Sequence, residues 1–275
     1  MDVRVTTDAA AFEQTVFPFL QQDPVLHTLI MSNVRARVTG AHVEDEPSYY
    51  ASVHDGAGEV VGAAMRTPGR MVYLGALRPE YAEAVADAYL DVPIEQIGVA
   101  GDRPAARRFA DRWCERRGGT ATETKATRLH KLGTLTPLSA EGSPRLMNDD
   151  ETALVAAWVA DGFADEFHEP SLEWAEDQLK SKSMWIWEAG GEPVSMVGYH
   201  HPVFGACRVG PVYTPPEHRR RGYAGALTSH VSAEILAQGN QACLYTDLAN
   251  PTSNKIYHEA GYRQVADFVD VEFTA

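Results

Sequence analysis

Seven consecutive residues, Arg219-Arg220-Arg221-Gly222-Tyr223-Ala224-Gly225, are the stretch of this chain whose residue types and spacing suit chemistry, and the chemistry is anion binding. Val209, Val212 and Tyr213 precede them as a strand, Pro215 and Pro216 end that strand, and a helical pattern follows through Leu236. The first N–H groups of a helix have no acceptor within it, and the helix dipole adds partial positive charge at that end. A phosphate can therefore be held by backbone alone. Gly222 and Gly225 keep side chains out of the turn, and the guanidinium groups of Arg219, Arg220 and Arg221 offer forked donors to phosphate oxygens. The same residues would also make a plain solvated basic turn. No Gly-Lys-Ser/Thr follows, which removes a Walker loop, and the G-x-G-x-x-G spacing of a dinucleotide site is missing.

What remains is Arg-x-x-Gly-x-Ala at Arg219, Gly222 and Ala224, which resembles the pyrophosphate loop of the GNAT acetyltransferase superfamily. The lead-in from Gly210 through Pro216 to Arg219 is similar to that of many members. A second signature lies downstream and in register: Asn250, Ser253, the apolar-Tyr pair Ile256-Tyr257, then Gly261-Tyr262. The resemblance implies an α/β fold of the α+β kind with a mixed, mostly antiparallel sheet. It implies acetyl-CoA as cofactor and transfer of the acetyl group to a primary amine of a small molecule or peptide. The backbone of Val209, Gly210, Pro211, Val212 and Tyr213 would pair with the pantetheine arm as an added strand, Arg219 to Gly225 would hold the pyrophosphate, and Asn250 and Ser253 would face the coenzyme, with Asn254, off that face by position, ranked below Asn250 but within reach of it. Tyr257 is the implied acid for the leaving thiolate, with a core tyrosine whose hydroxyl bonds backbone as the alternative. No base is singled out among Asp165, Glu166, His168, Glu169, His200 and His201. Trp158, Trp174, Trp185 and Trp187 read as core residues rather than a substrate cage.

The elements that would position these residues occur twice. Val3-Arg4-Val5 is a strand, Asp8 caps a helix carrying Phe12, Val16 and Phe19, and Asp23-Pro24 opens a second helix toward Val38. Strands follow at 49–54, 60–66 and 71–75, a helix at 79–90, a strand at 97–100, a helix at 104–117 and a strand at 124–132. Past the turn-rich stretch 136–144 the order repeats: strand at Arg145-Leu146-Met147, helix at 150–163, a helix capped by Ser171, a hairpin over 184–188 and 193–200, the loop strand, the loop helix, a strand at 242–246, a helix after Asn250, and strands from Val265 to Phe273. The expected domains are residues 1–135, a degenerate copy with Gly75-Ala76-Leu77-Arg78-Pro79-Glu80 where the phosphate loop belongs, and 136–275, the catalytic copy. This tandem arrangement resembles that of tandem GNAT proteins.

Bulk composition narrows the remaining classes. At 275 residues and 44% apolar, the chain can bury two cores, and a net charge of −14 disfavours a nucleic-acid binder. Cys114, Cys207 and Cys243 are few and odd in number, against a disulfide framework or a metal cluster. The N-terminus carries no secretory pattern and no run is long enough for a membrane span, so a cytoplasmic protein is expected, with a homodimer left open. A coenzyme A-binding regulatory module without turnover, or a transferase of another acyl chain or acceptor class, would carry the same loop.

Overall fold

The structure is a computed structural model that describes residues 1–42, 44–93, 97–163 and 172–274. The first half runs β1 (Asp2–Thr6), α1 (Ala9–Leu20), α2 (Thr28–Val38), β2 (Tyr49–His54), β3 (Val60–Arg66), β4 (Val72–Gly75), α3 (Ala82–Leu90), β5 (Gly98–Gly101), α4 (Arg103–Arg117) and β6 (Thr120–Leu132). The second half repeats that succession element for element: β7 (Ser143–Leu146), α5 (Thr152–Gly162), α6 (Leu172–Lys180), β8 (Met184–Ala189), β9 (Glu192–Tyr199), β10 (Ala206–Tyr213), α7 (Tyr223–Ala237), β11 (Gln241–Asp247), α8 (Pro251–Ala260) and β12 (Tyr262–Thr274). A single 3₁₀ turn precedes the third helix in each half, at Pro79–Tyr81 and Pro216–His218. The duplicated order expected from the sequence is therefore present. Among the described residues no helix is long and apolar enough to cross a membrane.

The chain forms two compact units. The first comprises Met1–Leu129, Tyr245–Asn250 and Gln264–Ala275, and the second His130–Leu244 and Pro251–Arg263. In the first unit the strand order is β1-β2-β3-β4-β5-β12-β6, so the last strand of the chain lies beside β5. Val269 pairs antiparallel with Gly101 and Glu272 with Gly98. A Cβ at Gly98 would stand 2.4 Å from the Val271 carbonyl oxygen, so only glycine lets β12 come this close. The strands expected between Val265 and Phe273 are one continuous strand of 13 residues. Asp8 caps α1 as expected, accepting from the Ala10 and Ala11 N–H groups. The Asp23 carboxylate instead accepts from the Leu26 N–H within a turn, and α2 starts only at Thr28.

The second unit has strand order β11-β10-β9-β8-β7. Side chains alternate across it. Val194, Val197, Cys207 and Val209 join α7 and α8 in one buried cluster, while Met184, Ile186, Met196 and Tyr213 join α5 and α6 in another. The segment between the halves is no loose tether: Thr136 N–H donates to Ala260 O (2.9 Å), Leu138 N–H to Ser229 Oγ (3.1 Å), and Trp187 Nε1 to Glu141 O (2.8 Å). The strand expected at Arg145-Leu146-Met147 sits slightly earlier, at Ser143–Leu146. The expected helix cap Ser171 lies outside the described residues.

Candidate active site

Strand β10 is where the ladder of the second unit is interrupted. Its parallel pairing with β11 covers Ala206↔Gln241, Cys207↔Ala242 and Arg208↔Cys243 and stops there. On its other side Val209 pairs with Tyr199 and Val212 with Val197, so Gly210 and Pro211 together oppose Gly198 in a bulge. The Gly210-Pro211 peptide bond is cis, and Gly210 has φ 146° with nothing within 4 Å of where a Cβ would point. The end of the strand is clamped from inside. Ser195 Oγ donates to Tyr213 O (2.9 Å) and lies 2.8 Å from Thr214 Oγ1.

The basic loop that follows makes a sharp entry into α7. Gly222 has φ 86°, in the left-handed region, and no side chain caps the helix. Among the described residues the backbone N–H groups of Arg220 to Gly225 donate to no acceptor, the first intrahelical bond being Ala226 N–H to Gly222 O (3.0 Å). The three arginines differ. Arg219 Nε donates back to Thr214 O (2.9 Å), with its guanidinium 6.0 Å from the Tyr213 ring centroid, and Arg221 donates to Glu217 O (3.3 Å). Arg220, with φ 64° and exposed, makes no hydrogen bond or ion pair among the described residues. The two glycines differ as well. A Cβ at Gly222 would stand an ordinary 3.6 Å from Ser139 O and Ala140 Cβ, whereas one at Gly225 would stand 2.9 Å from Leu138 Cδ1 and 3.2 Å from Ile256 Cγ2. Gly222 serves the turn and Gly225 serves packing.

Val209 of β10, Tyr223 and Leu227 of α7 and Tyr257 of α8 share one buried cluster. Tyr257 is only 8% exposed, and its ring meets Tyr262 edge-on at 6.0 Å between centroids. The two phenols are satisfied differently. Tyr262 Oη lies 2.7 Å from Ser232 Oγ, whereas the Tyr257 hydroxyl has no hydrogen-bond partner among the described residues. Burial pushes the Tyr257 phenol up to about 12, so it holds its proton across the neutral range. Ser253 and Asn254 are half-buried in the first turns of α8, and the exposed Asn250 donates its N–H to Asp247 O (3.1 Å) just before that helix. Of the candidate bases, Asp165, Glu166, His168 and Glu169 lie outside the described residues, and His200 and His201 are exposed past the end of β9. Trp187 is buried and bonded to Glu141 O, and Trp185 packs its ring edge-on to His230 at 4.5 Å, both as core residues.

Two residues that the sequence reading did not single out touch this site. Asp161, at the end of α5, accepts a hydrogen bond from the Tyr213 hydroxyl, and Leu138 wedges between α7 and α8. Neither carries a sequence signal, because each acts through a partner distant in the chain.

Comparisons with known proteins agree with this layout. Residues 197–270, which span β10, the loop, α7, β11 and α8, match the family model described as FR47-like protein. The fold is similar to that of an acetyltransferase of the GNAT family from Colwellia psychrerythraea, at 11% identity over 100% of both chains with a TM-score of 0.65. It is similar to a GCN5-related N-acetyltransferase from Sphaerobacter thermophilus, at 16% identity over 99% of this chain and 95% of that one, with a TM-score of 0.62. It is also similar to a tandem GNAT protein from the clavulanic acid biosynthesis pathway, at 11% identity over 99% of this chain and 98% of that one, with a TM-score of 0.56. No curated protein matches the sequence. Along its whole length the chain has the fold of these GNAT acetyltransferase structures, and within its second half residues 197–270 match the FR47-like family model.

Proposed function

We propose that the second half of the chain is an N-acetyltransferase that moves an acetyl group from acetyl-CoA to the primary amine of a small molecule or peptide. The observation that carries this reading is the row of backbone N–H groups from Arg220 to Gly225 that donate to nothing among the described residues, set between an interrupted strand and an uncapped helix. That donor set fits a pyrophosphate, since backbone donors and the positive end of a helix dipole select for anions. The exposed Arg220 adds a full charge beside it. The bulged stretch Val209 to Tyr213 fits an extended pantetheine arm, with open space at Gly210.

Acetyl-CoA bound there supplies an activated thioester. The chain's own contribution is to hold that group by Arg220 to Gly225 and β10, and to keep a proton ready on Tyr257 Oη for the departing sulfur. A phenol with a pKa near 12 is fully protonated at neutral pH, and a hydroxyl with no partner among the described residues is free to donate. Asn250, Ser253 and Asn254 belong to the same reading as residues facing the coenzyme. The enzyme is read as cytoplasmic, acting without nucleic acid or membrane.

The first half, residues 1–135, is read as a degenerate copy that binds no cofactor. β4 and β5 pair at Val72↔Val99, Tyr73↔Ala100 and, past a register shift, at Gly75↔Gly101, so pairing resumes at the last residue of both strands. A Cβ at Gly101 would stand 2.8 Å from Leu74 Cβ and 3.1 Å from Gly75 O, so no opening matches the one beside β10.

Two substitutions at one position test the loop. Gly222→Ala imposes a side chain on a left-handed residue and adds no charge, whereas Gly222→Glu adds a carboxylate against the phosphates. Calorimetric titration with acetyl-CoA should show Gly222→Glu abolishing binding and Gly222→Ala only weakening it, with circular dichroism reporting a folded chain in both. Wild-type affinity in Gly222→Glu would remove the loop from the site.

A further inference from the structure

We infer that Asp161 and the Tyr213 hydroxyl are positioning residues for the basic loop, acting on it through Arg219; this rests on the cofactor reading above. Four contacts in the second unit carry the inference. The Tyr213 hydroxyl donates to the Asp161 carboxylate. Over the same ring lies the Arg219 guanidinium, 6.0 Å from its centroid. Arg219 Nε is tied to Thr214 O at 2.9 Å, which turns the side chain back onto the end of β10 rather than out of the loop. Finally, Gly162 is what lets α5 come close enough. A Cβ there would stand 2.5 Å from Tyr213 Cδ2, so any larger residue would push the last turn of α5, and Asp161 with it, off the ring.

Arg219 is therefore a strut, not a phosphate ligand. The carboxylate of Asp161 orients the phenol, the phenol face and the Thr214 carbonyl fix the guanidinium, and the guanidinium fixes the point from which Arg220 to Gly225 turn into α7. Tyr213 itself is well set for this. It is 6% exposed, packs its ring against Trp158 at 6.0 Å between centroids, and has its carbonyl held by Ser195. The arrangement assigns the three adjacent arginines different work: Arg219 shapes the loop, Arg221 closes it on Glu217 O, and Arg220 is left to meet phosphate.

The test is a set of acetyl-CoA titrations of the full chain with Tyr213→Phe, Asp161→Ala, Asp161→Asn, Arg219→Ala and the double variant Tyr213→Phe/Arg219→Ala. Tyr213→Phe and Asp161→Ala should each weaken binding about tenfold, the scale of one lost hydrogen bond to a charged group. Asp161→Asn keeps an acceptor oxygen and should recover part of the loss. The double variant should bind no more weakly than Arg219→Ala alone, because the phenol acts through that residue. In turnover the loss should fall on KM for acetyl-CoA rather than on kcat, a split that general unfolding does not produce. Binding by Tyr213→Phe within twofold of wild type, or additive losses in the double variant, would overturn the inference. Should Tyr213→Phe fold poorly, the exposed Asp161 pair decides the matter alone. A folded wild type that binds no acetyl-CoA would overturn the cofactor reading and this inference together.

Discussion

Tyr257 and Tyr262 stand five positions apart and share one core, yet among the described residues only Tyr262 has a partner for its hydroxyl. A phenol whose ring is packed in the core and whose hydroxyl meets no acceptor among the described residues can turn its proton to a bound ligand, which is the physical argument for Tyr257 as the acid. Tyr257→Phe keeps the ring and its packing, so the melting temperature should hold while the rate with the best amine falls about 10²- to 10⁴-fold at nearly constant acetyl-CoA affinity. Turnover within about threefold of wild type would assign the donor role to water. With a pKa near 12, Tyr257 should impose no fall in rate on the basic side below about pH 10. At this scale the sequence was informative about identity and silent about partners. The spacing from Asn250 to Gly261 located Tyr257, but three adjacent arginines read alike. The structure separates them: Arg219 Nε bonds Thr214 O and so turns back onto the end of β10, while Arg220 is exposed at φ 64°.

Among the elements, α7 carries the loop and is held from behind by the segment joining the halves. Leu138 fills the space that Gly225 leaves, Ile256 of α8 closes it, and Ser229 anchors the Leu138 N–H. Gly225→Val should therefore cost about 1–3 kcal/mol by overpacking. Adding Leu138→Ala should recover part of that cost, because the two side chains compete for one space. Chemical denaturation of the single and double variants checks this, and strictly additive costs would mean the wedge does not exist. Most elements were legible from hydrophobic period and from caps such as Asp8. The joining segment was not. Its proline, serine and glycine content is that of a linker, and what fastens it is a set of contacts to residues about 90 to 125 positions away, such as Ser229 and Ala260.

For the molecule as a whole, the repeated order of elements could be read from the sequence because each element is a local pattern. The place of β12 beside β5 could not, because strand neighbours are non-local and Gly98 gives no sign of what approaches it. Stability against pH is also a property of the whole chain. Burial pushes the Cys207 thiol and the Tyr213 and Tyr257 phenols up to about 12, above unfolded values of roughly 8.5 for cysteine and 10 for tyrosine. The folded chain then keeps protons that the unfolded chain releases, so stability is full below about pH 8 and declines as pH rises toward 12. On the acid side, burial tends to raise the Glu151 carboxyl, but hydrogen bonds from Arg145 at 2.7 and 2.8 Å and from the Asn148 N–H at 2.8 Å outweigh it and lower its pKa. Its contribution is present above about pH 4.3 and is lost as pH falls through the folded pKa. Melting temperatures should thus form a plateau between about pH 5 and 8, and Cys207→Ser should delay the alkaline decline toward pH 10. An unchanged alkaline limb in that variant would contradict the assignment of its first part to Cys207.

The central claim is one coenzyme site per chain, in the second half, and the stoichiometry of acetyl-CoA binding measures it most directly. Calorimetric titration of the wild-type chain should give one acetyl-CoA per chain, with that site lost in Gly222→Glu and kept when Gly75, at the end of β4 in the first half, is changed to Ala. Two sites per chain would contradict the degenerate first half, and no binding to a folded chain would contradict the account as a whole.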